Sequence, residues 1–197
     1  MTTLHALIIT ALLAAASAGC TVDETALSPA ELVAAADGGD VRAELQLGLM
    51  YDAGRGVPQD YASAIAWYRK AALHGNSLAQ ANLGFKYAEG EGVPRDDAAA
   101  LSWYRKAIAQ EDASAQFYLG LLYARGGTVV PQDYAKAVLW YREAAAQGLA
   151  TAENELGFMY RYGRGVGQDD AVAVAWFRKA AAQGNFTAKL IKGDVAN

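Results

Sequence analysis

Histidine occurs only twice, at His5 and His74, and cysteine once, at Cys20. So small a stock excludes a disulfide framework and leaves too few ligands for histidine-based triads or multi-histidine metal sites within one chain. Charge is scarce too, at 19% of residues against 53% hydrophobic, a balance that belongs to a packed chain rather than a disordered one. Lys and Arg number 17 against 21 Asp and Glu, for a formal net charge of -4, and the basic residues are spread as Arg69/Lys70, Arg105/Lys106, Arg142 and Arg178/Lys179. No basic patch is offered to nucleic acid, and no nucleic-acid partner is expected. The Gly-x-Gly turns at Gly54/Gly56, Gly90/Gly92 and Gly163/Gly165 lack Gly-Lys-Ser/Thr and follow no strand, so they read as turns, not phosphate cradles. No cofactor, metal site or catalytic residue is expected.

What the chain does have is one phrase written four times. Trp67, Trp103, Trp140 and Trp176 are spaced by 36, 37 and 36 residues, and Tyr51, Tyr87, Tyr123 and Tyr160 keep the same spacing. Periods of this size mark units that cannot bury their apolar face alone and stack on their neighbours. In the first unit Ala43, Leu47, Tyr51 and Gly54 share one helix face, and Gly54-Arg55-Gly56-Val57-Pro58-Gln59-Asp60 breaks that helix. Asp60 opens a second helix as its cap, as do Asp96, Asp133 and Asp169 in the other units. That helix carries Ala64, Trp67, Tyr68 and Ala71 as an apolar stripe, with the tryptophans expected in the core. Gly48, Gly84, Gly120 and Gly157 sit inside the first helices at a cost of about 1 kcal/mol each in helix propensity, which predicts close approach of the second helix there.

The pattern Leu-Gly-x-x-Tyr-x-x-Gly-x-Gly-Val-x-x-Asp-x-x-x-Ala-x-x-Trp-Tyr-x-Lys-Ala-Ala resembles the Sel1-like repeat, a relative of the tetratricopeptide repeat. The resemblance implies an all-α, right-handed α-solenoid of four helix-pair repeats, at about 41–75, 77–111, 113–148 and 150–184 of a domain spanning 29–197. Unit three has one extra residue in its turn, unit two ends in Glu111 where the others have Gly, and unit four has Gly167 in place of Pro. Ser28-Pro29-Ala30-Glu31 fits a capping box, so 29–37 reads as an N-terminal cap, and 186–193, where Lys192 replaces the core leucine, as a C-terminal one. Some cysteine-rich relatives are linked to β-lactam recognition, yet Ser63-Ala64-Ile65-Ala66 and Ser102-Trp103-Tyr104-Arg105 both fail the Ser-x-x-Lys pattern.

The first 19 residues carry no Lys, Arg, Asp or Glu and run apolar from Ala6 through Ala18, which reads as a cleaved export signal. Ala16-Ser17-Ala18-Gly19-Cys20 resembles a bacterial lipobox, which implies lipidation of Cys20, with 20–28 as anchored N-terminus and spacer. The resemblance places the chain in the bacterial cell envelope, as an outer-membrane lipoprotein facing the periplasm. The alternative is a soluble periplasmic protein.

Within the first helices some columns do not repeat: Gln46, Asn82, Tyr118, Glu155; then Met50, Lys86, Leu122, Met159; then Ala53, Glu89, Arg125, Tyr162. They share a face distinct from the repeated Leu and Tyr. By resemblance to tetratricopeptide stacks this face is concave and receives a protein or peptide partner. Tyr118, Leu122, Met159 and Tyr162 are the expected hot spots, because exposed aromatic and Met side chains suit binding, and Lys86, Glu89, Arg125 and Glu155 suit a partner with charges of both signs. His74 reads as a solvated helix end. The sequence thus points to a monomeric, non-enzymatic interaction scaffold; the alternative is a cell-wall-fragment or β-lactam binding or hydrolysing protein that uses the groove carboxylates Glu89 and Glu155.

Overall fold

A computed structural model describes residues 27–127 and 129–184; the leading segment with Cys20 and the cap expected at 186–193 lie outside them. The described residues form nine helices and no strand: α1 (Pro29–Asp37), α2 (Val41–Ala53), α3 (Tyr61–Leu73), α4 (Ser77–Glu89), α5 (Asp97–Ile108), α6 (Ala113–Arg125), α7 (Tyr134–Ala146), α8 (Ala150–Tyr162) and α9 (Asp170–Ala182). From α2 onward each consecutive pair packs as one unit, each second helix also packs on the next unit's first, and α4 packs on α6. This is an all-α solenoid of helix pairs.

Local chemistry sets the helix ends. At α1 the Ser28 hydroxyl accepts from the Glu31 amide while the Glu31 carboxylate accepts from the Ser28 amide at 2.8 Å, with Pro29 in the first turn. Asp60, Asp96, Asp133 and Asp169 each accept from first-turn amides of α3, α5, α7 and α9, and Asp40, Asn76 and Asp112 cap α2, α4 and α6. Only α8 begins without a side-chain cap, at Leu149. In units one, two and four the first helix ends on a left-handed glycine whose amide returns to Met50, Lys86 or Met159. In unit three Gly126 instead turns extended (φ 72°, ψ 170°), and the longer connection closes through the Gly127 amide on the Val130 carbonyl at 2.7 Å.

The core is built from a glycine and a ring. A β-carbon on Gly48, Gly84, Gly120 or Gly157 would stand 2.5–2.6 Å from the ring of Tyr68, Tyr104, Tyr141 or Phe177 respectively, so only glycine lets each second helix seat its aromatic against the first. These rings are essentially fully buried, among Ala64, Ala71, Ala100, Ala107, Ala137, Ala144, Ala173 and Ala180.

The tryptophans do not occupy this core, contrary to the sequence expectation; all four are half-buried. Adjacent residues on a helix diverge by about 100°, so when Tyr68 points at Gly48, Trp67 must point elsewhere. It packs on Leu32, Ala36, Ala43 and Leu47, and Trp103 packs one unit back in the same way, on the cluster of Ala64, Tyr68 and Leu83. Each tryptophan covers a seam between units. Lys70 and Lys106 lie 3.9 Å above the ring centroids of Trp67 and Trp103.

A polar clasp recurs within every pair: Glu44 with His74 (2.9 Å), Gln80 with Gln110 (3.0 Å), Gln116 with Gln147 (2.9 Å) and Glu153 with Gln183 (2.8 Å). His74 is therefore not the free solvated end expected of it. Its ring is half exposed, but Nδ1 holds the buried carboxylate of Glu44.

Candidate functional site

The non-repeating columns come together on the face formed by α2, α4, α6 and α8, but not as an exposed stripe. Gln46 and Tyr162 are exposed, and Met50, Asn82, Glu89, Arg125 and Glu155 are half-buried. Lys86, Tyr118, Leu122 and Met159 are buried, which corrects the expectation that Tyr118, Leu122 and Met159 stand free as hot spots. The physical reason differs at each seam. Lys86 enters the gap between units one and two, where its ammonium meets Asp52 and, at 2.8 Å, Glu91, and lies 4.6 Å from the Tyr61 ring centroid. Asp52 also accepts from the Tyr68 hydroxyl at 3.1 Å. Tyr118 wedges among Phe85, Phe117 and Tyr104, with ring centroids 4.9, 5.7 and 6.0 Å away.

Between units two and three the charged group is Arg125. Its guanidinium pairs with Glu89, reaches Asp97 at 3.4 Å and donates to the Ala88 carbonyl at 3.0 Å; Asp97 is also held by Arg95 at 3.0 Å. The carboxylates Asp96 and Asp97 are thus divided between a helix cap and an inter-unit ion pair. Glu89 is held in the same way, so it and Glu155 do not form a free acid–base couple. Among the described residues no cluster of three or more His, Cys, Asp or Glu could hold a metal ion.

One cavity of about 440 Å³ opens on this face, reaching from α4 across α6 to α8. Six of the eleven residues predicted from the columns line it: Glu89, Tyr118, Leu122, Arg125, Glu155 and Met159; Gln46, Met50, Asn82, Lys86 and Tyr162 do not. Its aromatic wall was not foreseen. Tyr104 and Tyr141 come from the second helices, Phe85 from α4, Tyr134 from the start of α7 and Arg164 from the turn after α8. The signal available was the ring beside Trp103 and Trp140, which reads as core and here forms part of the cavity lining as well.

Burial dominates the electrostatics. It pushes the hydroxyls of Tyr104, Tyr118 and Tyr141 above the ordinary tyrosine range, so they stay neutral. It also pushes the Glu155 carboxyl up to about 7, the nearby Arg164 offsetting part of the effect. The Tyr141 hydroxyl and Arg125 Nε are buried without a hydrogen-bond partner. Arg164 reaches over the rings of Tyr134 and Tyr162, 5.6 and 5.4 Å from their centroids, and Tyr162 stacks on Phe158 at 6.2 Å.

The four-unit geometry coincides with a family match: the Sel1 repeat fits residues 41–76, 77–112, 113–149 and 150–185. The chain belongs to the Sel1 repeat family. Solved Sel1-type structures agree. One is a protective antigen of uropathogenic Escherichia coli strains that displays an SLR fold, 45% identical with a TM-score of 0.68 over 83% of this chain and 35% of that one. A Sel1 repeat protein from Oxalobacter formigenes is 37% identical, with a TM-score of 0.68 over 79% of this chain and 63% of that one. The chain thus spans only about a third and under two thirds of these two proteins. The Helicobacter pylori cysteine rich protein B, at 23% identity and a TM-score of 0.53 over 68% of this chain and 95% of that one, shares the fold. No curated protein matches the chain. Sel1 repeat proteins are in general interaction scaffolds, typically without catalysis.

Proposed function

We propose that this Sel1 repeat protein is a non-enzymatic scaffold of the bacterial cell envelope that holds a partner polypeptide along the face of α2, α4, α6 and α8. The observation that carries the reading is the 440 Å³ cavity, which opens on the helix face that varies from unit to unit and is lined by six residues of the varying columns. A face whose framework repeats while its lining differs offers each stretch of a bound chain a different surface. The test is photo-crosslinking in the native envelope. A crosslinking residue placed at Gln46 or Tyr162, exposed on this face, should yield a discrete adduct; one at Leu139, exposed on α7, should not. Adducts at Leu139 alone would reject the reading.

The envelope location rests on the apolar run from Ala6 through Ala18 and on Cys20 as a lipidated residue. Cys20→Ala should abolish incorporation of labelled fatty acid, and unchanged labelling would exclude the anchor.

A further inference from the structure

The cavity lining contains a carboxylate and a hydroxyl that the protein itself leaves unanswered. Tyr141 is fully buried, and its hydroxyl has no hydrogen-bond partner. Glu155 forms no ion pair or hydrogen bond with any described residue, although the charge of Arg164 acts on it from nearby and the rings of Phe85, Tyr104, Tyr118, Tyr134 and Tyr141 line the cavity around it. A carboxylate in such surroundings is costly when ionised, a cost that the nearby Arg164 offsets only in part, and an unpaired buried hydroxyl carries its own desolvation penalty. Both penalties are relieved by one kind of visitor, a cation that donates hydrogen bonds.

The chain contains an intramolecular precedent two seams earlier. Lys86 threads between units one and two so that its ammonium sits among Asp52, Glu91 and the rings of Tyr61 and Phe85, at 4.6 and 5.7 Å from the ring centroids. Between units three and four the position of Lys86 is taken by Met159 and that of Tyr61 by Tyr134. The ring is kept and the internal lysine is gone; the positions of the carboxylates Asp52 and Glu91 are taken by Ala124 and Arg164, and the carboxylate now present, Glu155, stands at the position of Asn82.

We propose that the end of the cavity between units three and four, lined by Tyr134, Tyr141, Glu155 and Met159, receives a basic side chain of a partner polypeptide, its aliphatic stem against the aromatic wall and its cationic head on Glu155 and the Tyr141 hydroxyl. This deepens the scaffold reading and rests on it. Aromatic faces attract ammonium and guanidinium groups, most strongly where water is excluded. The other charges facing the site do not favour an anion. Arg125 is engaged by Glu89, Asp97 and the Ala88 carbonyl, and Arg164 lies over Tyr134 and Tyr162 beside open solvent. Tyr104, Tyr118 and Tyr141 remain neutral, which leaves Glu155 as the lining carboxylate without an ion pair, with the exposed Arg164 as the nearest opposing charge.

Three acetylated, amidated nonapeptides of alanine and serine with a central lysine, norleucine or glutamate test this against the full chain, with n-butylamine as the free cation. The readout is the methyl resonance of 13C-labelled Met159, with Met50 as the internal control. The lysine peptide is expected to shift Met159 and not Met50, and to bind at least tenfold more tightly than the norleucine peptide and than n-butylamine. Its affinity should fall about tenfold from pH 8 to pH 6 as Glu155 takes up its proton. Glu155→Gln should erase the preference for lysine over norleucine while norleucine binding persists; Tyr141→Phe, which removes only the hydroxyl, should narrow it.

Equal binding of lysine and norleucine, preference for glutamate, or a silent Met159 would each overturn the proposal. Butylamine binding as tightly as the peptide would overturn its polypeptide part. A crosslinked partner that binds the native chain and Glu155→Gln equally would remove this inference and leave the scaffold standing, whereas absence of adducts on the whole face would remove the scaffold.

Discussion

Replacing Gly48 with alanine probes the joint on which each helix pair is seated. The added β-carbon would lie 2.5 and 2.6 Å from Cδ1 and Cε1 of Tyr68 and 3.2 Å from its Cγ, with no other atom among the three nearest. Carbon atoms rest about 3.5 Å or more apart, so the ring would have to retreat by about 1 Å. Tyr68 is fully buried and its hydroxyl is tied to Asp52, which leaves it no free direction. Overpacking of this kind costs about 1–3 kcal/mol, and weakening the buried hydrogen bond adds about 1 kcal/mol. Alanine returns about 1 kcal/mol of helix propensity. The expected net loss is about 2 kcal/mol, a fall in Tm of about 4–8 °C for a chain of this length.

Urea denaturation followed by far-ultraviolet circular dichroism measures the loss. The same substitution in a Tyr68→Leu background should cost far less, because the clash has gone. Gly157→Ala should cost less than Gly48→Ala, since Phe177 has no hydroxyl bond to lose. A Gly48→Ala protein as stable as the native one, or more stable, would refute the reasoning, for it would mean that the propensity gain meets no opposing ring.

Glu155 gives a pH signature: its carboxyl titrates near 7 in the fold against 4.5 ordinarily, so the neutral form favours folding and that contribution fades as pH rises from 4.5 through 7. The fall amounts to at most about 3 kcal/mol, and Glu155→Gln should flatten it in urea midpoints taken from pH 5 to 8. His74→Gln should leave the urea midpoint unchanged, because glutamine makes the same clasp in the other three units, whereas His74→Ala should lower stability by about 1–2 kcal/mol by stranding buried Glu44. Glu111 holds a left-handed φ of 60° where Gly75, Gly148 and Gly184 stand in the other units, so Glu111→Gly should raise stability by about 0.5–1 kcal/mol in the same assay.

Helices, caps and turns were legible in the sequence because their determinants are local. An aspartate before an apolar stripe and a glycine after one act on the backbone within a turn of themselves. The family resemblance and the periodicity then determined how the pairs stack. Two assignments failed for reasons that lie in the third dimension. Trp67 and Tyr68 repeat equally well, and periodicity cannot say which of two neighbouring rings faces the glycine and which covers a seam.

Variation among units misled in a related way. It points to an exposed partner-binding face, but Lys86, Leu122 and Met159 are buried and vary with the packing around them. Arg125 and Asp97 could be matched only once α4, α5 and α6 were in place. The cavity drew on five helices and a turn, so no single column announced it, although Glu155 and Tyr118 were both among the residues named in advance.

The ion pairs between units bear on the mechanics of the solenoid. Lys86 bolts unit two to unit one through Asp52, and Arg125 bolts unit three to unit two through Glu89 and Asp97. No ion pair joins units three and four among the described residues; Arg142 donating to the Tyr160 hydroxyl at 2.7 Å and apolar contacts hold that junction around the open cavity. The third junction thus differs in kind from the first two, which are joined by ion pairs. Added salt should therefore act on the first two junctions, whose charges it screens, more than on the third, which rests on a hydrogen bond and apolar contacts.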